Sequence, residues 1–278
     1  MLNWILDILG IFYEPLFMRR AALALLLLSF ASSGTGVLVV SRRMAFFPDA
    51  AGHTIFAGLA LALLFNLSIS YAVLAFGVFI GVFIIFLLRH SNLSSDTIIG
   101  LVFSGGVALG LALVSRFPQS QTRLTSFFMG DVLTVDDATL VLLMILALVS
   151  LLFFVFLYNR LMLSCVTSVN FGKTVFSEYI FGAFLAAVVV LAVQAVGVLL
   201  VTALLIAPAA AGRILASSGR AMFWIALSVS LVSGQLGLYL SYQPSINTTT
   251  GASVVFIAIL IFGLSVLAKK VWGHWQNK

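Results

Sequence analysis

The chain contains nine apolar stretches, each about long enough to cross a lipid bilayer as a helix, and short polar segments separate them. A bilayer core about 30 Å thick requires roughly 20 apolar residues for one helical crossing. Ionisable and turn-forming residues divide the 278 residues into segments of about that length. The nine predicted spans are 21–41, 51–66, 69–88, 97–115, 138–158, 178–193, 195–211, 221–241 and 252–268. This pattern predicts an all-α polytopic membrane protein in which 1–278 forms a single transmembrane domain.

The composition supports this interpretation, because 63% of the residues are hydrophobic and only 8% carry a charge. About a quarter of the residues in a soluble protein are charged, so a soluble globule of this composition could not cover its surface. A soluble enzyme, a nucleic-acid-binding protein and a disordered tail are therefore excluded. A transmembrane β-barrel would alternate polar and apolar positions, and the runs 21–28 and 79–88 do not. The single cysteine, Cys165, excludes a disulfide within the chain.

The basic residues predict how the spans are oriented. Residues 179–211 hold no charge, but one helix over this stretch would be about 50 Å long, so we place a reversal at 194–197. Lys and Arg collect in cytoplasmic loops. With nine crossings, ten basic residues share one side: Arg42, Arg43, Arg89, Arg160, Lys173, Arg213, Arg220, Lys269, Lys270 and Lys278. The other side holds four: Arg19, Arg20, Arg116 and Arg123. We therefore predict an external N-terminus and a cytoplasmic C-terminus.

The segments outside the spans carry several local predictions. The spacing of polar residues in 1–20 is typical of a helix lying in the membrane surface and not of a secretory signal. Asp96 precedes the fourth span as a helix N-cap, and Asp136 and Asp137 stand in the same relation to the fifth. The loop 116–137 is the largest external surface.

The candidate functional residues are Asp49 and His53, at the start of the second span. They lie four positions apart and so share one face of a helix, where their side chains can converge on one ion. An oxygen and an imidazole nitrogen suit zinc, manganese or iron(II), whereas calcium and magnesium prefer oxygen ligands only. Pro48 is typical of a first helical turn, and Gly52 leaves space beside the pair. Spacing alone leaves open a hydrogen-bonded or ion-paired acid and histidine without a metal.

Two other chemistries are excluded by their incomplete motifs. The segment 171–174 (FGKT) is similar to the end of a nucleotide-binding P-loop, but Thr167 stands where that motif requires glycine. The chain therefore has no ATPase site of its own. Ser104 lies in a glycine-rich stretch, but no histidine in a later span could activate it as a hydrolase nucleophile.

Several segments resemble the membrane permease family of bacterial ABC importers for zinc, manganese or iron. Residues 44–58 (MAFFPDAAGHTIFAG) are similar to a family segment in which Gly-Asp-Ala-x-Ser-His leads into a span. Residues 95–104 (SDTIIGLVFS) and 197–215 (GVLLVTALLIAPAAAGRIL) resemble two further family stretches, and 240–242 followed by Gly251 resembles its close. The resemblance covers nearly the whole chain, and it implies the permease fold of vitamin B12 and metal-chelate importers.

The resemblance also implies partners and residue roles. The expected partners are two cytoplasmic ATPase subunits, an extracytoplasmic metal-binding protein and a second permease in the bacterial inner membrane, with no nucleic acid. Asp49 and His53 take the positions of the metal-contacting acid and histidine. The segment 208–220, with Pro208, Arg213 and Arg220, takes the place of the coupling helix that docks on the ATPase. No permanently bound cofactor is expected; zinc, manganese or iron is the transported substrate.

Two departures from the family pattern lie beside the candidate site. Pro48 replaces the usual glycine and Gly52 the usual serine, which removes a hydroxyl and leaves the ion preference open. The resulting hypothesis is an ATP-driven metal importer that works by alternating access. Loop 116–137 is either the docking surface for the binding protein or only a linker. The alternative is a secondary metal transporter driven by an ion gradient without an ATPase.

Overall fold

The protein is described here by a computed structural model covering residues 15–115, 130–166, 175–243 and 248–276. Within these ranges the chain is helical and contains no strand. Residues 171–174 and most of loop 116–137 lie outside them. In chain order the helices are α1 (Leu16–Ser41), α2 (Phe47–His53), α3 (Ile55–Leu64), α4 (Ile69–His90), α5 (Ser95–Val114), α6 (Asp137–Val166), α7 (Val175–Val196), α8 (Val198–Leu215), α9 (Gly219–Tyr242) and α10 (Thr250–Gln276).

The helices within the described ranges provide nine candidate membrane spans, as predicted, with α2 and α3 together forming one span over Phe47–Leu64. The largest differences in bounds are in the fifth and ninth spans, where α6 continues to Val166 and α10 to Gln276. The expectation of a surface helix over 1–20 is wrong for its last residues, because α1 begins at Leu16. Arg20, in the second turn of α1, forms a 2.9 Å ion pair with Asp137, which compensates part of its charge. Residues 1–14 lie outside the described chain.

The second span is interrupted at Thr54, which separates α2 from α3. The Thr54 hydroxyl donates a 2.8 Å hydrogen bond to the carbonyl of Ala51. Neither proline nor glycine occupies position 54, so the sequence did not predict this interruption. Broken helices occur in membrane proteins where the interrupted backbone is enclosed by protein or lines a cavity. Thr54 is fully buried, as this requires.

The predicted reversal at 194–197 is confirmed, since α7 ends at Val196 and α8 begins at Val198. Gly197 makes the turn with φ 87°, a left-handed conformation that glycine adopts without steric cost. Gly130 also has a positive φ, 48°, and its backbone lies directly against that of Gly197. A side chain at Gly130 would collide with the backbone of Gly197 and force these two segments apart.

Helices α1 and α7 form the centre of the bundle. The most apolar stretch of α1 is 78% buried, compared with 28% for α5 and α6 and 17% for α10. Glycines allow close packing between neighbours: Gly81 of α4 lies against the backbone of Gly182 in α7, and Gly110 of α5 lies against Phe56. The exposed apolar sides of α5, α6 and α10 therefore face lipid or a partner.

One end of the bundle, here called the arginine end, gathers the last residues of α1 and α4. Arg42 and Arg43 follow α1, and Arg89 at the end of α4 pairs with Glu178 in the first turn of α7. The Arg20–Asp137 pair lies at the opposite end. These basic residues thus segregate between the two ends of the bundle as the sequence predicted.

The helix caps partly match the predictions. Asp136 accepts a 2.9 Å hydrogen bond from the amide of Thr139 and so caps α6. Hydrogen bonds from the hydroxyl and the amide of Thr139 hold the pKa of Asp136 below its ordinary value. The prediction for Asp96 is wrong: Ser94 caps α5 by accepting from Thr97, and Asp96 lies in the first turn.

Candidate metal site

Asp49 and His53 lie on α2, and both are half-buried. The helix places the His53 ring over the preceding turn, where its Nδ1 lies 2.9 Å from the carbonyl oxygen of Asp49. A carbonyl oxygen can only accept, so Nδ1 carries the proton and Nε2 carries the lone pair of the neutral ring. A backbone carbonyl that orients a histidine in this way is a common arrangement behind metal-binding imidazoles. The local geometry therefore suits His53 to bind a metal through Nε2.

The aromatic partner of His53 is Phe103, which the sequence did not predict. The two ring centroids are 4.9 Å apart, and the planes meet edge to face at 73°. Phe103 is the ninth of the 20 residues of α5, so this contact lies near the middle of a helix long enough to cross the bilayer. The acid and histidine open the second span in sequence, yet the structure places His53 near mid-depth.

Gly52, between the two candidate ligands along α2, lies against the α7–α8 reversal. A Cβ at position 52 would stand 2.8 Å from Cγ2 of Val198, closer than carbon atoms pack. Val198 is buried at the start of α8. A methyl group of Val198 thus occupies the space that a side chain at position 52 would need. The acid–histidine pair therefore has an apolar neighbour there and not a hydroxyl.

The pair supplies two ligands, fewer than a bound metal ion requires. Zinc takes four ligands in structural sites, and other divalent transition metals take up to six. Across the ranges that the structure describes, no group of three or more His, Cys, Asp or Glu side chains could hold a metal ion. Among the described residues, Asp49 and His53 are thus a candidate for part of a metal site, and no third His, Cys, Asp or Glu side chain joins them.

The residues predicted for coupling lie on other helices than this pair, as do His90 and Cys165. Pro208 is buried inside α8, so the segment 208–220 is no separate helix but the end of α8, a short link and the start of α9. Arg213 and Arg220 are exposed on either side of that link. His90 ends α4, where its Nδ1 lies 2.8 Å from the carbonyl of Phe86. Cys165 donates to the Leu161 carbonyl within α6.

The fold defines a polytopic helical membrane protein, and an acid–histidine pair lies half-buried inside its bundle. The chain belongs to the ABC 3 transport family, whose model matches residues 14–269. The resemblance noted from the sequence is thereby confirmed. Because this is a family of ABC transporters, whose ATPase is a separate subunit, membership supports the ATP-driven interpretation over the alternative of a gradient-driven transporter.

Similar proteins are known from several bacteria. The manganese transport system membrane protein MntC of Listeria monocytogenes is 31% identical over 255 residues, covering 90% of each chain. A probable iron transport system membrane protein of Haemophilus influenzae is 28% identical, covering 98% of this chain and 99% of its own length. The high-affinity zinc uptake system membrane protein ZnuB of Buchnera aphidicola is 27% identical over 254 residues, with 90% and 97% covered.

Solved structures share the fold. PsaBC from Streptococcus pneumoniae, determined in complex with Fab, superposes with a TM-score of 0.76 and 27% identity over 95% of both chains. A metal-chelate type ABC transporter in an inward-facing conformation gives a TM-score of 0.64 over 90% of this chain. At 19% identity this second likeness concerns the fold alone. Both agree with the predicted fold class.

Proposed function

We propose that this chain is the transmembrane subunit of an ATP-driven importer of manganese, zinc or iron(II), and that Asp49 and His53 bind the ion in transit. The observation that carries the proposal is the acid–histidine pair on an interrupted helix near mid-depth of an ABC 3 family bundle. An ion that leaves water loses its hydration, and ligands within the membrane must compensate for that cost. The relatives named above transport manganese, iron or zinc, which matches the donor atoms of the pair.

A second permease is proposed to complete the site. The exposed face of α5, beside Phe103, carries small residues at Ser104, Gly105, Ala108 and Ala112. A Cβ at Gly105 would meet no other described part of the chain within 4 Å. Small residues let membrane helices from two chains approach closely. Two copies, or two related permeases, facing each other across α5 would bring a second acid and histidine toward the first.

The ATPase subunits are proposed to contact the exposed arginines beside the α8–α9 link. Arg213 and Arg220 are accessible there, whereas Pro208 is buried and contributes only to the shape of α8. This assignment rests on the positive-inside orientation, which puts that link in the cytoplasm. The extracytoplasmic binding protein is assigned to loop 116–137, of which only the last residues are described.

The experiment compares two histidines that make the same local bond. His53 and His90 each place Nδ1 near the carbonyl four residues earlier, but His53 is half-buried beside a carboxylate and His90 is exposed at a helix end. We expect His53→Gln and Asp49→Asn each to lower the initial rate of manganese, zinc or iron uptake by about tenfold or more. His90→Gln should leave uptake unchanged.

Uptake is measured in cells that lack their other importers, with membrane-protein level and ATPase copurification determined for each variant. These two controls separate loss of the site from loss of folding or assembly. Normal uptake of all three metals by His53→Gln and Asp49→Asn would contradict the site assignment. Uptake that persists when the ATPase is inactivated would contradict the ATP-driven mechanism.

A further inference from the structure

A cavity of about 390 Å³ lies at the arginine end, and the proposed transport mechanism does not use it. It opens between the ends of α1, α4 and α6 and the starts of α5 and α7. Its volume is within the range of about 300–1,000 Å³ typical of ligand pockets. Three arginines line it, namely Arg42, Arg43 and Arg89, together with one carboxylate, Glu178.

The charges of this cavity are unbalanced. Glu178 pairs with Arg89, so the one carboxylate in the described lining is already engaged. Arg42 and Arg43 then contribute two positive charges for which the described lining supplies no anion. The start of α5 also lines the cavity, at Ser95, and a helix start adds partial positive charge. The cavity is therefore suited to an anionic ligand.

Within the described chain, the groups that contact Arg42 are neutral. Its guanidinium donates to the Ser164 hydroxyl at 2.9 Å and to the Leu161 carbonyl at 3.5 Å, and it lies 4.9 Å from the centre of the Phe181 ring. Its Nε is buried and makes no hydrogen bond within the described chain. A half-buried guanidinium with only neutral partners has lost hydration without gaining a counter-charge. An anion bound beside it would supply that counter-charge.

The cavity wall is also partly apolar, which indicates the source of the anion. Leu88 and Leu93 stand beside the arginines, and Leu93 is exposed at the surface. Basic pockets between the ends of membrane helices bind lipid headgroups, because the phosphate enters the pocket while the acyl chains remain along the bundle. A soluble phosphate would gain nothing from the apolar part of the wall.

We propose that this cavity binds the phosphate of an anionic phospholipid, with Arg42 and Arg43 as its ligands. The lipid would brace the ends of α1, α4 and α6 against one another. The inference requires only that the chain spans a phospholipid membrane, so it holds whichever metal is transported and whichever end is cytoplasmic.

The experiment measures phosphatidylglycerol binding to the intact transporter by native mass spectrometry, with phosphatidylcholine as the neutral comparison. We expect Arg42→Gln/Arg43→Gln to weaken phosphatidylglycerol binding by about tenfold or more. Lys269→Gln/Lys270→Gln is the matched control, because it removes the same charge from exposed positions at the end of α10, outside the cavity. Its affinity should stay within about twofold of the original protein.

Arg43→Gln alone provides a milder variant, because Arg43 is exposed and its loss leaves the Arg42 contacts with α6 in place. It should weaken binding by about fivefold. Equal lipid affinity in the double variant and the control would overturn the proposal. So would displacement of the lipid by inorganic phosphate, which would indicate a soluble anion. If the double variant still binds the lipid but no longer copurifies with the ATPase, the cavity is a protein interface instead.

Discussion

Gly52 lies between the two candidate metal ligands along α2. The space that a side chain at this position would occupy is filled by a residue of another helix. Val198 follows the α7–α8 reversal at Gly197, and its methyl group stands where a residue 52 side chain would begin. The two positions are distant in sequence but form one contact. An apolar wall beside the pair lowers the local dielectric and so strengthens the interaction of Asp49 with a cation.

We predict that Gly52→Ser destabilises the permease because the new side chain collides with Val198. Overpacking of this kind lowers the free energy of unfolding by about 1–3 kcal/mol. Val198→Ala alone also destabilises by leaving a cavity, but Gly52→Ser/Val198→Ala should be more stable than the sum of the two single changes implies. The measurement is thermal unfolding of the purified permease. Simple additivity of the two effects would contradict the contact.

The residue pair Asp49 and His53 was predictable, whereas its surroundings were not. Four-residue spacing on a helix fixes two side chains on one face whatever the rest of the chain does. The contact of His53 with Phe103 depends on how α2 packs against α5, and no local pattern encodes that packing. The 95–104 segment matched the family without showing which of its side chains faces the site.

At the scale of helices, the two interruptions of the apolar pattern differ in how far they could be foreseen. The reversal at Gly197 followed from length, since a single helix over that stretch would far exceed the bilayer thickness. The break at Thr54 changes neither span length nor hydropathy, so it leaves no mark in the sequence pattern. The Asp96 cap failed for a related reason: Ser94, two residues earlier, satisfies the same helix start.

The exposed face of α5 gives a prediction about assembly. Gly105 has open space around it within its own chain, as does Gly263 on α10. A Cβ at either position meets no described atom of the protomer within 4 Å, and leucine favours a helix by about 0.5–1 kcal/mol over glycine. We expect Gly105→Leu to reduce both permease dimerisation and metal uptake, since the bulk lies on the proposed contact face.

Gly263→Leu serves as the matched control, with the same substitution on a helix assigned to lipid. Dimerisation is followed by cross-linking in membranes, and folding of each variant by thermal unfolding in detergent. Full dimerisation and uptake in Gly105→Leu would show that a different helix forms the contact between permeases.

For the whole molecule, the distribution of charge determines how the bundle sits in the membrane. Arg42, Arg89 and Glu178 meet at the arginine end. Arg213 lies close enough to interact electrostatically with Cys165, which lines the cavity at that end. The opposite end holds Arg20 and Asp137. Because Lys and Arg are retained on the cytoplasmic side, the arginine end should face the cytoplasm. Sequence counting already predicted this orientation; the structure adds that these residues lie together at one end.

Single-cysteine labelling tests the orientation directly. Cys165→Ser removes the one native thiol, and Ala138→Cys or Lys270→Cys then introduces an exposed thiol near the start of α6 or toward the end of α10. In intact cells a membrane-impermeant maleimide should label Ala138→Cys and leave Lys270→Cys unlabelled, because only the former faces outward. Permeabilised cells should label both, which controls for buried or unreactive thiols. The reverse labelling pattern would indicate the opposite orientation in the membrane. Arg213 and Arg220 would then lie outside and could not contact a cytoplasmic ATPase.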